Sequence, residues 1–390
     1  MSIAERFQLQ YGGRPDGVFS APGRVNLIGE HTDYNNGLVL PFAIDARAQV
    51  AVRRIDEPVI RVVSVQREGA VIEAPLSVLR PGTAAATGWP AYLLGTAWAL
   101  IEAGIDVPGA ELALDSAVPV GAGLSSSAAV ECATALALST IAEVRLTPAD
   151  LARLAQRAEN AFVGVPTGLM DQMASAGCRA GHLLFFDVGA GTTENIPFDP
   201  AANGLQVLVI DTGVHHSLAD GEYAKRRASC EWAAELLGLN TLRDITDAGE
   251  ALARLGSPAS GLPAADRELL VRRVRHVLSE NGRVFDVVQR LRAGDIAGIG
   301  ADLTESHISM RDDYEISSIE LDTAVDAALG AGALGARMTG GGFGGSAIAL
   351  VPSQDAARVA EAVDRAFAAA GFAAPTSRHF TPADGARRES

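Results

Sequence analysis

Gly23-Arg24-Val25-Asn26-Leu27-Ile28-Gly29-Glu30-His31-Thr32-Asp33-Tyr34-Asn35-Asn36-Gly37 puts an arginine, a glutamate, a histidine and an aspartate within ten positions. Neither an amphipathic helix nor an alternating strand has that pattern. Gly23, Gly29 and Gly37 punctuate the stretch, so its polar groups fall on loops flanking a short apolar strand, which continues as Leu38-Val39-Leu40-Pro41. Charged acceptors and forked donors gathered in one place suit the recognition of a polyol by hydrogen bonds. On residue types alone, a solvated loop with internal salt bridges reads equally well.

A second segment, Pro119-Val120-Gly121-Ala122-Gly123-Leu124-Ser125-Ser126-Ser127-Ala128-Ala129, follows a strand over Ala110–Asp115 and leads into a helical run from Val130 to Ala142. Glycines followed by serines at a helix start make an anion cradle: N–H groups are free, serine caps well, and the helix dipole favours negative charge. An ordinary serine-capped helix after a glycine turn is the competing reading. Lys225 is the only lysine in the chain, and position 124 is Leu. A lysine-tipped phosphate loop and the strand lysine of a protein kinase are therefore both missing from the sequence. A nucleotide bound here must be neutralised by backbone dipoles, metal and arginine.

The third segment is Gly164-Val165-Pro166-Thr167-Gly168-Leu169-Met170-Asp171-Gln172-Met173. It follows a helix capped by Thr147, with Pro148 at its first position and Leu151, Leu154, Ala155, Ala158 and Phe162 as apolar face. Asp171, among apolar neighbours, is either a helix cap or a working base. The fourth segment, Arg337-Met338-Thr339-Gly340-Gly341-Gly342-Phe343-Gly344-Gly345-Ser346, leads into the apolar strand Ala347–Val351. Its glycines read as backbone pressed against a ligand or another loop.

Together the four segments resemble the GHMP family of small-molecule kinases, and within it the galactokinases. The first looks like the galactokinase signature. The second is similar to the family's ATP loop, Pro-x-x-x-Gly-Leu-Ser-Ser-Ser-Ala. The third resembles the galactokinase stretch ending Met-Asp-Gln, and the fourth the C-terminal glycine motif. They span residues 23 to 346 in the family's order. The resemblance implies a two-domain α+β fold, the first domain ribosomal-S5-like, divided as 1–195 and 196–390 with the active site between them. It implies ATP-dependent phosphorylation of D-galactose at the anomeric oxygen. Gly121, Ala122, Gly123, Leu124, Ser125, Ser126 and Ser127 would wrap the ATP phosphates, and Ser127 and Glu159 would hold Mg²⁺. Ser64 and Trp89 would lie near the adenine or ribose. Glu30, His31, Thr32, Asp33 and Tyr223 would hold sugar hydroxyls. Asp171 would take the anomeric proton, with Arg24 keeping it ionised and neutralising charge on the moving phosphoryl group. Apart from the resemblance, Glu159 reads as a solvated helix carboxylate, Tyr223 as a helix-surface tyrosine and Trp89 as plain core.

The 390 residues, 48% hydrophobic and 20% charged, lie in the range of a globular protein and suggest two domains. A net charge of −15 argues against nucleic acid or an anionic membrane surface as partner. Cys132, Cys178 and Cys230 are scattered and odd in number, which fits small buried residues in a reducing compartment. The first residues lack a basic-then-apolar signal, and the run Ala91–Ile101 is too short to span a bilayer. The expectation is a cytoplasmic monomer.

Strands are expected at 17–21, 38–54, 58–74, His182–Val188 and Leu205–Asp211. Helices are expected at 90–103, 219–237, 265–291, 296–309, 316–329 and Asp355–Ala370. Residues 189–204 make the best domain boundary, and the tail after Thr381 should fray. Without regular βαβ alternation the class is α+β. Three other functions stay open: a GHMP kinase for N-acetylgalactosamine, arabinose or homoserine; a sugar- and ATP-binding sensor; and a scaffold with a fortuitous glycine loop. The intact serines and Asp171 speak against the sensor, and four motifs in order against the scaffold.

Overall fold

Residues 1–67, 71–215 and 219–390 are described by the computed structural model. Its first sheet runs β13-β1-β3-β6-β4-β5. The strands are β1 (Gly17–Asn26), β3 (Pro41–Ile55), β4 (Val59–Ser64), β5 (Ile72–Pro75), β6 (Gly109–Ser116) and β13 (Arg387–Arg388). A small sheet joins β2 (Leu38–Val39), β7 (His182–Asp187) and β8 (Thr192–Pro197). The third, in the order β10-β11-β9-β12, takes β9 (Leu205–His215), β10 (Gly335–Thr339), β11 (Gly344–Pro352) and β12 (Thr376–His379). All neighbours are antiparallel except β4 and β6.

Against the first sheet lie α1 (Ile3–Tyr11), α2 (Pro90–Glu102), α3 (Ser126–Ile141) and α5 (Met170–Gly177), and α4 (Pro148–Arg157) packs on α2, α3 and α5. Helix α3 packs on β1 and β3. Ala128, Ala129, Ala133, Ala135 and Ala137 on it are all fully shielded, and such short side chains let the helix pack closely on its neighbours. The C-terminal part supplies α6 (Ala219–Leu237), α7 (Ala248–Gly256), α8 (Ala264–Arg292), α9 (Gly300–Ser309), α10 (Ile319–Gly330) and α11 (Ala356–Ala370). The α+β expectation holds. The three cysteines are free and buried. Among the described residues no helix is long and apolar enough to cross a membrane.

Several expectations need correction. Residues 189–204 hold β8, paired with β7 from His182↔Pro197 to Asp187↔Thr192, with Gly189 and Gly191 in the turn between the two strands. The strand expected over 58–74 is two, β4 and β5, with residues 68–70 outside the described residues. Helix α7 was not expected at all. The tail is not frayed: Arg47 donates to the carbonyls of Asp384 and Gly385, each at 2.7 Å, and β13 pairs with β1.

Two features aim the site. Register between β1 and β3 slips between Pro22 and Arg24. Gly23 sits in the slip, where an added Cβ would collide with the Leu124 carbonyl, and the Arg24 N–H donates to that carbonyl at 3.0 Å. Such a bulge re-aims the side chain that follows it. The second feature is α8, which passes from one core to the other. Leu270, Val274 and Val277 pack among the C-terminal helices, whereas Val284, Val287 and Val288 belong to the core under the first sheet. At the crossing, the buried Glu280 carboxylate accepts from the Gly29 N–H at 2.9 Å and Ser306 Oγ at 2.7 Å, and pairs with Arg283 at 2.8 Å and Arg337 at 3.8 Å. Burial pushes its pKa up, but these arginines outweigh that and hold it well below the usual carboxylate range. Removing one partner of a buried ion pair strands the other. Glu280→Ala should therefore cost about 3–5 kcal/mol of unfolding free energy, measured by urea denaturation.

Candidate active site

The bulge in β1 points Arg24 at Asp171, the second residue of α5. Its Nε and Nη2 donate to the two carboxylate oxygens at 2.8 and 2.7 Å, and its Nη1 donates to the Gly123 carbonyl at 2.6 Å. Ser125 Oγ donates to the same carboxylate. Arg24 is buried, while the Asp171 side chain keeps 24% exposure and so remains open to a ligand. Asp171 is thus not a helix cap.

A cavity of about 190 Å³ opens over this pair, lined also by Glu30, His31, Asp33, Thr167, Gly168, Tyr223 and Gly340–Gly342. Glu30 is fixed by the Gly340 N–H at 2.8 Å and Thr339 Oγ1 at 3.2 Å, with Arg337 at 3.6 Å. Burial raises its pKa despite the Arg337 charge. Asp33 accepts from the N–H groups of Met170 at 3.2 Å and Tyr34 at 2.9 Å. Burial, and then the Asp171 charge, push it up to about 6. Gly168 is required beside it, since a Cβ there would overlap the Asp33 carboxylate. Both ring nitrogens of His31 bond within the protein, to Tyr34 Oη at 2.7 Å and to the Gly341 carbonyl at 3.1 Å. Thr32 is not brought to the cavity. Its hydroxyl lies on the main-chain carbonyls of Gly29 and Leu38, where it shapes the loop from within.

A second cavity of about 190 Å³ lies on the other side of the loop and is lined by Ser64, Trp89, Tyr92, Val120, Ser126 and Ser127. Gly123 and Ser125 bond to Arg24 and Asp171, which line the first cavity, whereas Val120, Ser126 and Ser127 line the second, so the loop lies between the two. Ser125 does not cap α3: it takes φ +56° and its side chain makes no cap bond, because its hydroxyl is spent on Asp171. Among the described residues the first-turn N–H groups of α3 consequently have no side-chain acceptor and can receive an anion. The fourth motif closes the wall, with Ser346 Oγ donating to the Ala122 carbonyl at 2.6 Å and Gly340 against the Gly123 carbonyl.

Glu159 lies in the π-helical turn that extends α4, buried rather than solvated. Gln172 Nε2 donates to it at 2.6 Å. Burial pushes it up to about 7, with the Ser127 hydroxyl acting in the opposite sense. Glu131, wholly buried on α3, is raised by burial and then by the Glu159 charge. Sequence reading passed over Glu131, although a lone carboxylate in an alanine-rich helix was a visible signal. Glu280 and Tyr314 were also missed, and nothing local to their segments marks them.

Three family models match in order: the galactokinase galactose-binding signature over residues 5–54, the GHMP kinase N-terminal domain over 91–178 and the GHMP kinase C-terminal domain over 287–369. Galactokinase from Streptomyces coelicolor is 51% identical over 99% of the chain and 98% of its own length. The chain belongs to the galactokinase family of GHMP kinases. Galactokinase from Mycobacterium tuberculosis strain H37Rv is 45% identical over 94% of the chain and 98% of its length. The crystal structure of Lactococcus lactis galactokinase complexed with galactose superposes with a TM-score of 0.89 at 30% identity, covering 99% of this chain and 98% of that one. A mevalonate kinase, at 17% identity and a TM-score of 0.64, shares the fold alone. Within this galactokinase-family frame the two cavities and the loop between them are the candidate active site.

Asp33 yields a prediction that needs no substrate. Its pKa is raised from 3.8 to about 6, so between those values the folded chain holds a proton that the unfolded chain has released. Stability is then full below the unfolded value and falls as pH rises through about 6. Asp33→Asn should flatten the pH dependence of the melting temperature across that window, read by calorimetry.

Proposed function

We propose that the protein transfers the γ-phosphoryl group of ATP to the anomeric oxygen of D-galactose, giving α-D-galactose 1-phosphate, the first committed step of galactose catabolism. One observation carries the reading. The Arg24 guanidinium is bonded at once to Asp171 in the cavity of the sugar signature and to Gly123 in the glycine–serine loop. A group that touches both compartments stands where a phosphoryl group must cross. Galactokinase relatives and the galactose-binding signature favour galactose over other acceptors. Likeness to a homoserine kinase rests on 18% identity and concerns the fold alone.

The residues then have these parts. Glu30 and Asp33 offer fixed acceptors to sugar hydroxyls, and Tyr223 a hydroxyl of its own. Asp171 accepts the proton of the anomeric hydroxyl. Arg24 orients that carboxylate with two parallel N–H bonds and offsets charge on the moving group. The uncapped first turn of α3 receives phosphate oxygens, and Ser64 and Trp89 border the cavity for ribose and base. Mg²⁺ fits the donors present: Ser127 and Glu159 supply hard oxygens, and a cation would relieve the buried Glu159 carboxylate of its desolvation cost. When bound, the ion neutralises negative charge on the phosphate oxygens.

With Mg²⁺ and ATP, ADP release should be fast with galactose and slower by orders of magnitude with glucose, its 4-epimer. Equal rates on both would sink the proposal. Asp171→Asn should cut turnover roughly 10²–10⁴-fold while changing galactose affinity by calorimetry far less. The double variant with Arg24→Ala should lose much less than the product of the single losses, because a bidentate pair acts as a unit. Ser127→Ala and Glu159→Ala should each raise the Mg²⁺ concentration needed for half-maximal rate. Overlaid titration curves would return both residues to a structural role.

A further inference from the structure

Beside the sugar cavity runs a chain of hydrogen bonds through the buried His31, Tyr314 and Cys230 and the half-buried Tyr34. It links Cys230 Sγ to Tyr314 Oη (3.0 Å), Tyr314 Oη to Tyr34 Oη (2.7 Å), Tyr34 Oη to His31 Nδ1 (2.7 Å) and His31 Nε2 to the Gly341 carbonyl (3.1 Å). Its direction is fixed at one end. A carbonyl oxygen only accepts, so His31 Nε2 carries the proton and donates. Burial, with Arg226 and Arg273 nearby, pushes the His31 pKa down to about 3, so the ring is neutral and Nδ1 must accept. Tyr34 therefore donates to His31 and receives from Tyr314, which receives from the Cys230 thiol. Burial raises the thiol to about 11, so it keeps its proton and can donate.

We propose that Tyr34, backed by Tyr314, is a positioning residue for the sugar site that acts through His31. His31 takes φ +59°, a backbone conformation costly for a non-glycine residue, and needs outside support to hold it. Asn35 Nδ2 supports its carbonyl at 3.0 Å, and the relay supports its ring. With the ring locked, Nε2–H holds Gly341, which brings the glycine loop of the C-terminal half to the wall of the cavity. The Tyr223 ring, which lines the same cavity, packs on His31 with centroids 4.9 Å apart. The chain thus ties loop 31–34, α6, the π-helical turn Met310–Tyr314 and the glycine loop into one wall. Its charge is fixed at zero and its proton positions are set.

This inference rests on the sugar-kinase reading, so its test carries one arm independent of turnover. Tyr34→Phe should raise the galactose KM roughly 3- to 10-fold, the worth of one net hydrogen bond, with a smaller change in kcat and an unaltered ATP KM. Tyr314→Phe leaves the Tyr34-to-His31 bond in place and should act in the same direction but less. In protein labelled with ¹⁵N-histidine, the His31 Nδ1 resonance, assigned with His31→Gln, should move in Tyr34→Phe toward the value of a lone pair without a donor. An unchanged galactose KM with an unchanged resonance would overturn the proposal. So would equal rises in both KM values with a fall in melting temperature, which would mark general loss of structure. Wild-type protein that fails to phosphorylate galactose would instead remove the functional reading, while the His31 resonance still reports the relay.

Discussion

Everything at the site is organised around a single guanidinium. Arg24 uses three of its donors, two on Asp171 and one on the Gly123 carbonyl, and it is buried while doing so. A buried arginine is tolerable only when its charge is matched and its N–H groups are bonded. Its planar fork suits a carboxylate in a way a lysine ammonium cannot. The surroundings meet those demands in turn. The β1 bulge aims the side chain, α5 presents the carboxylate, and the glycine–serine loop turns a carbonyl toward it. Ser125 leaves its capping role to make the third bond to the carboxylate.

The same logic of charge and burial explains how the two halves are held in register. Glu280 and Arg337 are buried where α8 passes between the cores, and both act on the sugar signature. Glu280 takes the Gly29 N–H, whereas Arg337 donates to the carbonyls of Asn26 and Leu27 at 3.2 and 2.8 Å. A strand-and-loop element from the first sheet is thereby anchored by groups far along the chain. The glycine loop between β10 and β11 completes the arrangement by touching the signature at Glu30 and His31 and the glycine–serine loop at Ala122 and Gly123. Its glycines serve close approach: at Gly340, Gly342 and Gly344 a Cβ would meet main-chain carbonyls.

Electrostatics separates the carboxylates into roles. Glu280 is held far down by its arginines, whereas Asp33, Glu30 and Glu159 are lifted by burial with fewer compensating charges. In each of these the loss of water on burial outweighs the donors and charges that surround the carboxylate. Glu30 and Asp33 line the first cavity, where the proposed function supplies sugar hydroxyls as donors, and Glu159 is bonded by the Ser127 hydroxyl, where the same proposal supplies a cation.

The sequence by itself determined which residue types the candidate site would gather. Glu30, His31 and Asp33 crowd one loop, glycines and serines open α3, and the order of the four motifs was legible without coordinates, because each motif's chemistry is local. It also determined the α+β class and the placement of most long elements, since hydrophobic period and caps are local signals. What the sequence did not decide were matters of distance. That Asp171 faces Arg24 across 147 positions, that Ser125 serves a carboxylate rather than a helix cap, and that Thr32 turns inward depend on packing among elements remote in the chain. The tail that looked frayed is ordered because Arg47 and β1 bind it, and residues 189–204 hold a strand because β7 offers an edge. Tyr314 and Glu280 became part of the site only when the fold buried them beside it, because a side chain takes on such a role from neighbours that no stretch of sequence contains.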